Sequence, residues 1–134
     1  YVESGAARSY HHTAPITMIY ALHAGLEALL DEGLEASWRR HADCGAALQD
    51  GLVERGYRLF AAEGHRLPQL TTVWVPDGVD EAKVRRRLLD DYRIEIGGGL
   101  GEFAGKVWRI GCMGHTARLA NVALLLAALD ELVR

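Results

Sequence analysis

One helical face runs through Ile16, Ile19, Tyr20, His23, Leu26, Leu29 and Leu30, spaced three and four apart, which predicts a helix opening at Thr13-Ala14-Pro15 and closing at Gly33. The stripe is wide, so deep burial of this helix is expected. A second helix is predicted from Leu34, with Leu34, Trp38, Ala42, Gly45, Leu48 and Leu52 inward, and Glu35, Arg39, Arg40, Asp43 and Gln49 outward, until Gly56 stops it. From Tyr57 the period falls to two. Tyr57–Phe60 and Leu70–Val75 read as paired strands across a polar loop holding Gly64 and Pro68. Pro76-Asp77-Gly78 turns the chain, and Asp80 caps a short helix through Val84, Leu88 and Leu89. Arg93–Ile96 and Val107–Ile110 are two further strands, and Leu119, Val122, Leu126, Leu129 and Val133 define a closing amphipathic helix.

The order α, α, β, β, α, β, β, α has no repeated βαβ unit at its start, so the fold class is α+β: an antiparallel sheet of about four strands covered by helices on one face. Residues 1–12 carry no apolar periodicity and read as a connecting segment, with residues 13–134 forming one domain. The chain opens on Tyr1 rather than Met, and a piece of a longer protein is the expectation.

Composition narrows the function. The 134 residues, 25% charged and 49% hydrophobic, have the balance of an ordinary folded domain. Fifteen Lys and Arg against eighteen Asp and Glu leave a net charge of −3, so no global basic field exists to hold nucleic acid or an anionic membrane. The apolar runs, such as Val122–Leu129, are far shorter than the roughly 20 residues that span a bilayer. Cys44 and Cys112 lack metal-ligand spacing and are too few for a disulfide scaffold, which points to buried free thiols and to a soluble intracellular protein.

Four features have candidate chemistry. The segment from Gly97 to Gly105 contains one G-x-G-x-x-A match, at Gly99, Gly101 and Ala104, but a strand rather than a helix follows it, so it reads as a hairpin connection and not a dinucleotide loop. The six histidines include no i, i+4 pair and no H-E-x-x-H, so no metal site is expected; Cys112 and His115 are close in sequence, but a buried structural thiol is the better reading. Arg109 is centred in the apolar run Val107-Trp108-Arg109-Ile110 and needs a partner: either an internal acid or an anionic ligand that matches its guanidinium fork. Arg118, at the start of the last helix, reads as solvated. Tyr10-His11-His12-Thr13-Ala14-Pro15 places a hydroxyl and unpaired backbone N–H groups at a helix start, which serves either as an anion site with Tyr10 beside it or as plain N-capping by Thr13.

An ordered set of motifs runs along nearly the whole chain: Tyr10-His-His-Thr-Ala-Pro15, Gly33-Leu-Glu35 with Trp38-Arg39, Arg66-Leu-Pro68 before Thr71-Thr-Val73, Ile94-Glu-Ile-Gly-Gly98 with Gly99-Leu-Gly101, and Trp108-Arg-Ile-Gly111 with Met113-Gly114 and Ala117–Val122. This set resembles the C-terminal part of the alanine–glyoxylate and serine–pyruvate aminotransferases, class V pyridoxal-phosphate enzymes. The resemblance implies the small C-terminal domain of a fold-type I enzyme that works as a homodimer and moves an amino group from a small amino acid to glyoxylate or pyruvate. It implies that Tyr10 and Thr13 reach the cofactor phosphate of the neighbouring subunit, and that Arg109 holds the substrate carboxylate. It also implies a cofactor-anchoring lysine upstream of Tyr10. The chain has two lysines, Lys83 and Lys106, and neither matches that position, so the chain alone is expected to be inactive. The competing reading is a standalone noncatalytic interaction or dimerisation domain.

Overall fold

The computed structural model describes residues 2–4, 7–9 and 12–133. The chain divides into two compact units, Tyr1–Ser37 and Trp38–Arg134.

In the first unit, β1 (Val2–Ser4) and β2 (Ala7–Ser9) pair antiparallel, so the segment without apolar periodicity contains a small hairpin. Helix α1 (Ile16–Glu32) starts three residues later than Thr13, with Pro15 in the N-cap position and no side-chain cap there. The delay has a backbone cause: a residue preceding proline is driven out of the helical region, so Ala14 cannot begin the helix. Gly33 closes α1 at φ 86°, its N–H donating to the Leu29 carbonyl at 3.0 Å, as the sequence predicts. The expected deep burial is not found. No residue of α1 is buried, and Met18, Tyr20 and Leu30 are each more than 70% exposed. An apolar stripe reports that a surface favours burial; it does not supply the element that covers it.

Helix α2 (Leu34–Glu54) ends in a Schellman turn, the Gly56 N–H donating to the Val53 carbonyl and the Tyr57 N–H to the Leu52 carbonyl. Gly45, Leu48 and Leu52 of the predicted inward face are buried, joined by Ser37, Cys44 and Gly51, whereas Leu34, Trp38 and Ala42 at its N-terminal end are exposed.

The sheet of the second unit has three strands in the order β3 (Leu70–Trp74), β5 (Val107–Gly111), β4 (Gly97–Gly98), with β5 antiparallel to both neighbours. The chain leaves β3, crosses through α3 (Glu81–Tyr92) to β4, and returns to fill the gap with β5. Two expected strands are cut back. Tyr57–Phe60 is reduced to a single bridge, Leu59 opposite Val73, because the Tyr57 N–H is already spent on the end of α2. Arg93–Ile96 forms no strand. Arg93 is the left-handed C-cap of α3 at φ 59°, and the Arg93 and Ile94 N–H groups donate to Leu89 and Leu88 carbonyls, which leaves pairing to begin at Gly97. Asp80 caps α3 as expected, accepting from the Lys83 N–H at 3.0 Å.

Val73, Trp108 and Ile110 project from one face of the sheet into a core completed by Cys44, Leu48 and Leu52 of α2, Val84 and Leu88 of α3, and Val122, Leu125 and Leu129 of α4 (Leu119–Leu132). Alternation along the strands therefore leaves Thr72, Trp74 and Arg109, half-buried, and Val107, buried, on the face turned away from α2, α3 and α4.

Candidate functional site

Arg109 lies in the central strand, with Thr72 opposite it on β3 and Gly97 opposite it on β4. Its Nε donates to the Gly98 carbonyl at 2.8 Å. No ion pair between Arg109 and a carboxylate occurs among the described residues, whereas Arg55, Arg85 and Arg87 each pair with an acid. Of the two partners left open for this guanidinium, an internal acid is therefore not the one those residues supply.

Gly97 and Gly98 face opposite ways. A Cβ built on Gly97 would lie 3.3 Å from Arg109 Nη2 and 3.5 Å from its Nε. One on Gly98 would meet the Arg85–Glu81 ion pair of α3 at 3.3 Å. Both positions are filled by their neighbours, which is a packing reason for two bare residues in succession.

The glycine hairpin that follows is fastened, not loose. Gly99 admits no side chain because the Phe103 carbonyl occupies that space. The Phe103 ring packs edge-on against Phe60 at 4.9 Å and Trp74 at 6.1 Å, and Arg58 stacks over Trp74 at 4.5 Å. A strand and not a helix follows, in keeping with a hairpin connection and not a dinucleotide loop.

Beyond β5, α2 holds the loop of residues 112–118. Arg40 Nη1 donates to the Gly114 carbonyl at 2.7 Å and to the Ala117 carbonyl at 2.9 Å, and His41 Nε2 accepts from the Gly114 N–H at 2.9 Å. These contacts fix the exit of the strand that carries Arg109. They were not legible in the sequence, where Arg40 belongs to the outward face of α2.

Cys44 and Cys112 are free and buried, as expected. Burial raises the Cys112 thiol above its ordinary pKa, with the adjacent Cys44 adding to the shift and Arg40 opposing it. His115 contacts Arg118 at 3.1 Å and is exposed, while Cys112 is buried, so the structure does not assemble a reactive pair from them. No cluster of three or more His, Cys, Asp or Glu side chains that could hold a metal ion exists among the described residues. A cavity of about 340 Å³ opens on the helix side of the sheet, lined by Leu48, Ile96, Ile110, Cys112 and Val122; Arg109 is not part of it.

The second anion candidate is the start of α1. Residues 12–20 are exposed, and the first turn of this 17-residue helix contains no acidic residue and no side-chain cap, so the positive end of its dipole meets no carboxylate of its own. Thr13 sits just before that turn. Such a helix start fits a phosphate, by its N–H groups and by its dipole. Tyr10 lies outside the described residues.

Helices packed on a small three-stranded antiparallel sheet are the small-domain architecture of a fold-type I pyridoxal-phosphate enzyme. The chain is homologous to the class V aminotransferases of the alanine–glyoxylate and serine–pyruvate type. It is 46% identical over 128 residues to the alanine–glyoxylate aminotransferase of Callithrix jacchus, covering 95% of this chain and 31% of that protein. It is 43% identical over 126 residues to the (S)-ureidoglycine–glyoxylate transaminase of Bacillus subtilis, covering 94% and 30%. The crystal structure of an alanine–glyoxylate aminotransferase from Nostoc sp. superposes with a TM-score of 0.86 at 48% identity, over 97% of this chain and 34% of that one. The chain thus spans about a third of the length of the relatives it matches. No protein-family model matches it. No helix among the described residues is long and apolar enough to cross a membrane.

Proposed function

We propose that residues 13–134 are the C-terminal small domain, and residues 1–12 its connecting segment, of a pyridoxal-phosphate-dependent aminotransferase that passes an amino group from a small amino acid to glyoxylate or pyruvate. Glyoxylate is the favoured acceptor, since the names of the two relatives above share it and differ in the donor. When bound, the cofactor carries the amino group and draws off charge from the substrate α-carbon. Among the described residues the start of α1 suits that cofactor's phosphate, through Thr13 and the first-turn N–H groups after Ile16, whose own N–H donates to the Ala14 carbonyl; the resemblance adds the Tyr10 hydroxyl. Lys83 and Lys106 are both exposed and neither matches the anchoring position that the resemblance implies, so this reading puts that lysine in the part of the relatives that this chain does not span.

The observation that carries the reading is Arg109: a half-buried guanidinium on the open sheet face, held at Nε by a backbone carbonyl and paired with no described carboxylate. A planar fork in that state receives a carboxylate through two parallel bonds, and so clamps amino acid and 2-oxo acid alike. The exposed apolar surface of α1, with Met18, Tyr20, Leu22 and Leu30, supports assembly as a homodimer. The same surface favours the second reading, a noncatalytic dimerisation module; a native polypeptide with the mass of this chain alone would support that alternative.

The test is an Arg109→Lys substitution in the full-length protein, assayed with alanine or serine against glyoxylate and pyruvate. Loss of the bidentate contact should lower kcat/KM by about 2–4 kcal/mol with cofactor affinity retained. An unchanged kcat/KM for every donor would reduce Arg109 to a structural cation.

A further inference from the structure

A guanidinium has two edges that fit a carboxylate: the side edge formed by Nε and Nη2, and the end formed by Nη1 and Nη2. Which edge is presented decides where the substrate's α-carbon lies. In this structure the side edge is turned to β4. Nε donates to the Gly98 carbonyl at 2.8 Å, and Gly97 offers no side chain where a Cβ would stand 3.3 Å from Nη2 and 3.5 Å from Nε. Glycine in a strand costs backbone entropy and contributes no packing. At Gly97 that cost has a local counterpart, because the vacated space is the lane in which the guanidinium lies.

We infer that Gly97 and Gly98 are positioning residues for Arg109: the bare strand and the Gly98 carbonyl together fix the guanidinium so that a substrate carboxylate is received end-on, by Nη1 and Nη2. The inference rests on Arg109 being the carboxylate clamp. Neither glycine touches substrate; both act through the orientation of one side chain, which is settled before substrate arrives.

Gly97 suits a direct test. Its φ is not in the left-handed region, and the nearest atoms to an added Cβ are the far end of a flexible side chain, so Gly97→Ala keeps the fold and displaces the guanidinium by a few tenths of an ångström. In the full-length enzyme, Gly97→Ala should raise KM for amino donor and 2-oxo acid about 3–10-fold, with larger loss in Gly97→Val, since a misplacement near 1 Å costs about a hundredfold. The kcat, the melting temperature and the cofactor affinity of Gly97→Ala should stay near those of the parent, a split that a merely structural glycine would not produce. In an Arg109→Lys background, Gly97→Ala should add nothing further, because the group it displaces is gone. Additive effects in that cycle would overturn the positioning role. A raised KM in Arg109→Lys with parental KM in both Gly97 variants would sink the positioning role alone; a parental KM in Arg109→Lys would sink the clamp and the positioning role together.

Discussion

Gly45 and Gly51 both lie in the interior of α2, about 1.7 turns apart, yet the same substitution should have different consequences at the two. Replacing either glycine by alanine gains about 1 kcal/mol of helix propensity. At Gly45 the new Cβ would stand 2.6 Å from both the Cα and the carbonyl oxygen of Pro68, so α2 and the Pro68 segment must part by about 0.8 Å to reach ordinary contact. That segment is not free to retreat. The Gln69 carbonyl accepts from the Cys112 N–H at 2.8 Å, Gln49 Nε2 donates to the Leu67 carbonyl at 3.2 Å, and β3 begins at Leu70. Overpacking against fixed backbone costs about 1–3 kcal/mol or more, so the net effect of Gly45→Ala is a loss of up to about 2 kcal/mol. At Gly51 the new Cβ meets a methyl group of Leu126, which can turn aside for about 0.5–1.5 kcal/mol, so Gly51→Ala should be close to neutral. Urea denaturation followed by circular dichroism at 222 nm separates the two through their midpoints at constant m-value. Equal stabilisation by both substitutions would refute the close approach of α2 to the Pro68 backbone.

Two further outcomes follow from the same structure. The raised Cys112 pKa sets a sign: as pH climbs past the ordinary thiol value, the unfolded chain gives up its proton first, the folded state binds more protons, and stability falls. Urea midpoints should therefore decline from about pH 8 to pH 10, less so in Cys112→Ala, and a flat profile would show that burial does not hold the thiol protonated. At the start of α1, Tyr10→Phe combined with Thr13→Ala in the full-length protein should weaken pyridoxal-phosphate binding by about 1.5–3 kcal/mol for each phosphate hydrogen bond lost. Verified heterodimers of that double variant with a lysine-deficient parent should recover cofactor affinity at one site; affinity that stays at the variant level would leave Thr13 as part of a helix start and nothing more.

What the sequence determined by itself was whatever is decided within a few residues. Gly33 and Gly56 end helices because a positive φ strains a residue that carries a Cβ, and Asp80 starts one because its carboxylate reaches an N–H three residues on. The singularity of Arg109 was legible for the same reason: a cation between apolar neighbours in a strand demands a partner wherever it folds. The motif order that marks the aminotransferase resemblance is likewise a property of the chain. Tertiary structure alone decided the rest, because pairing and covering are non-local. Arg93–Ile96 has strand character, but its first N–H groups close α3; Trp38 has core character but stays exposed, while Cys44 joins Leu48 in the core. The register that sets Gly97 against Arg109, and the Gly98 carbonyl on its Nε, join residues eleven and twelve apart through a hairpin. No periodicity encodes which edge of a guanidinium will face the strand beside it, since that depends on where a neighbouring backbone carbonyl comes to rest.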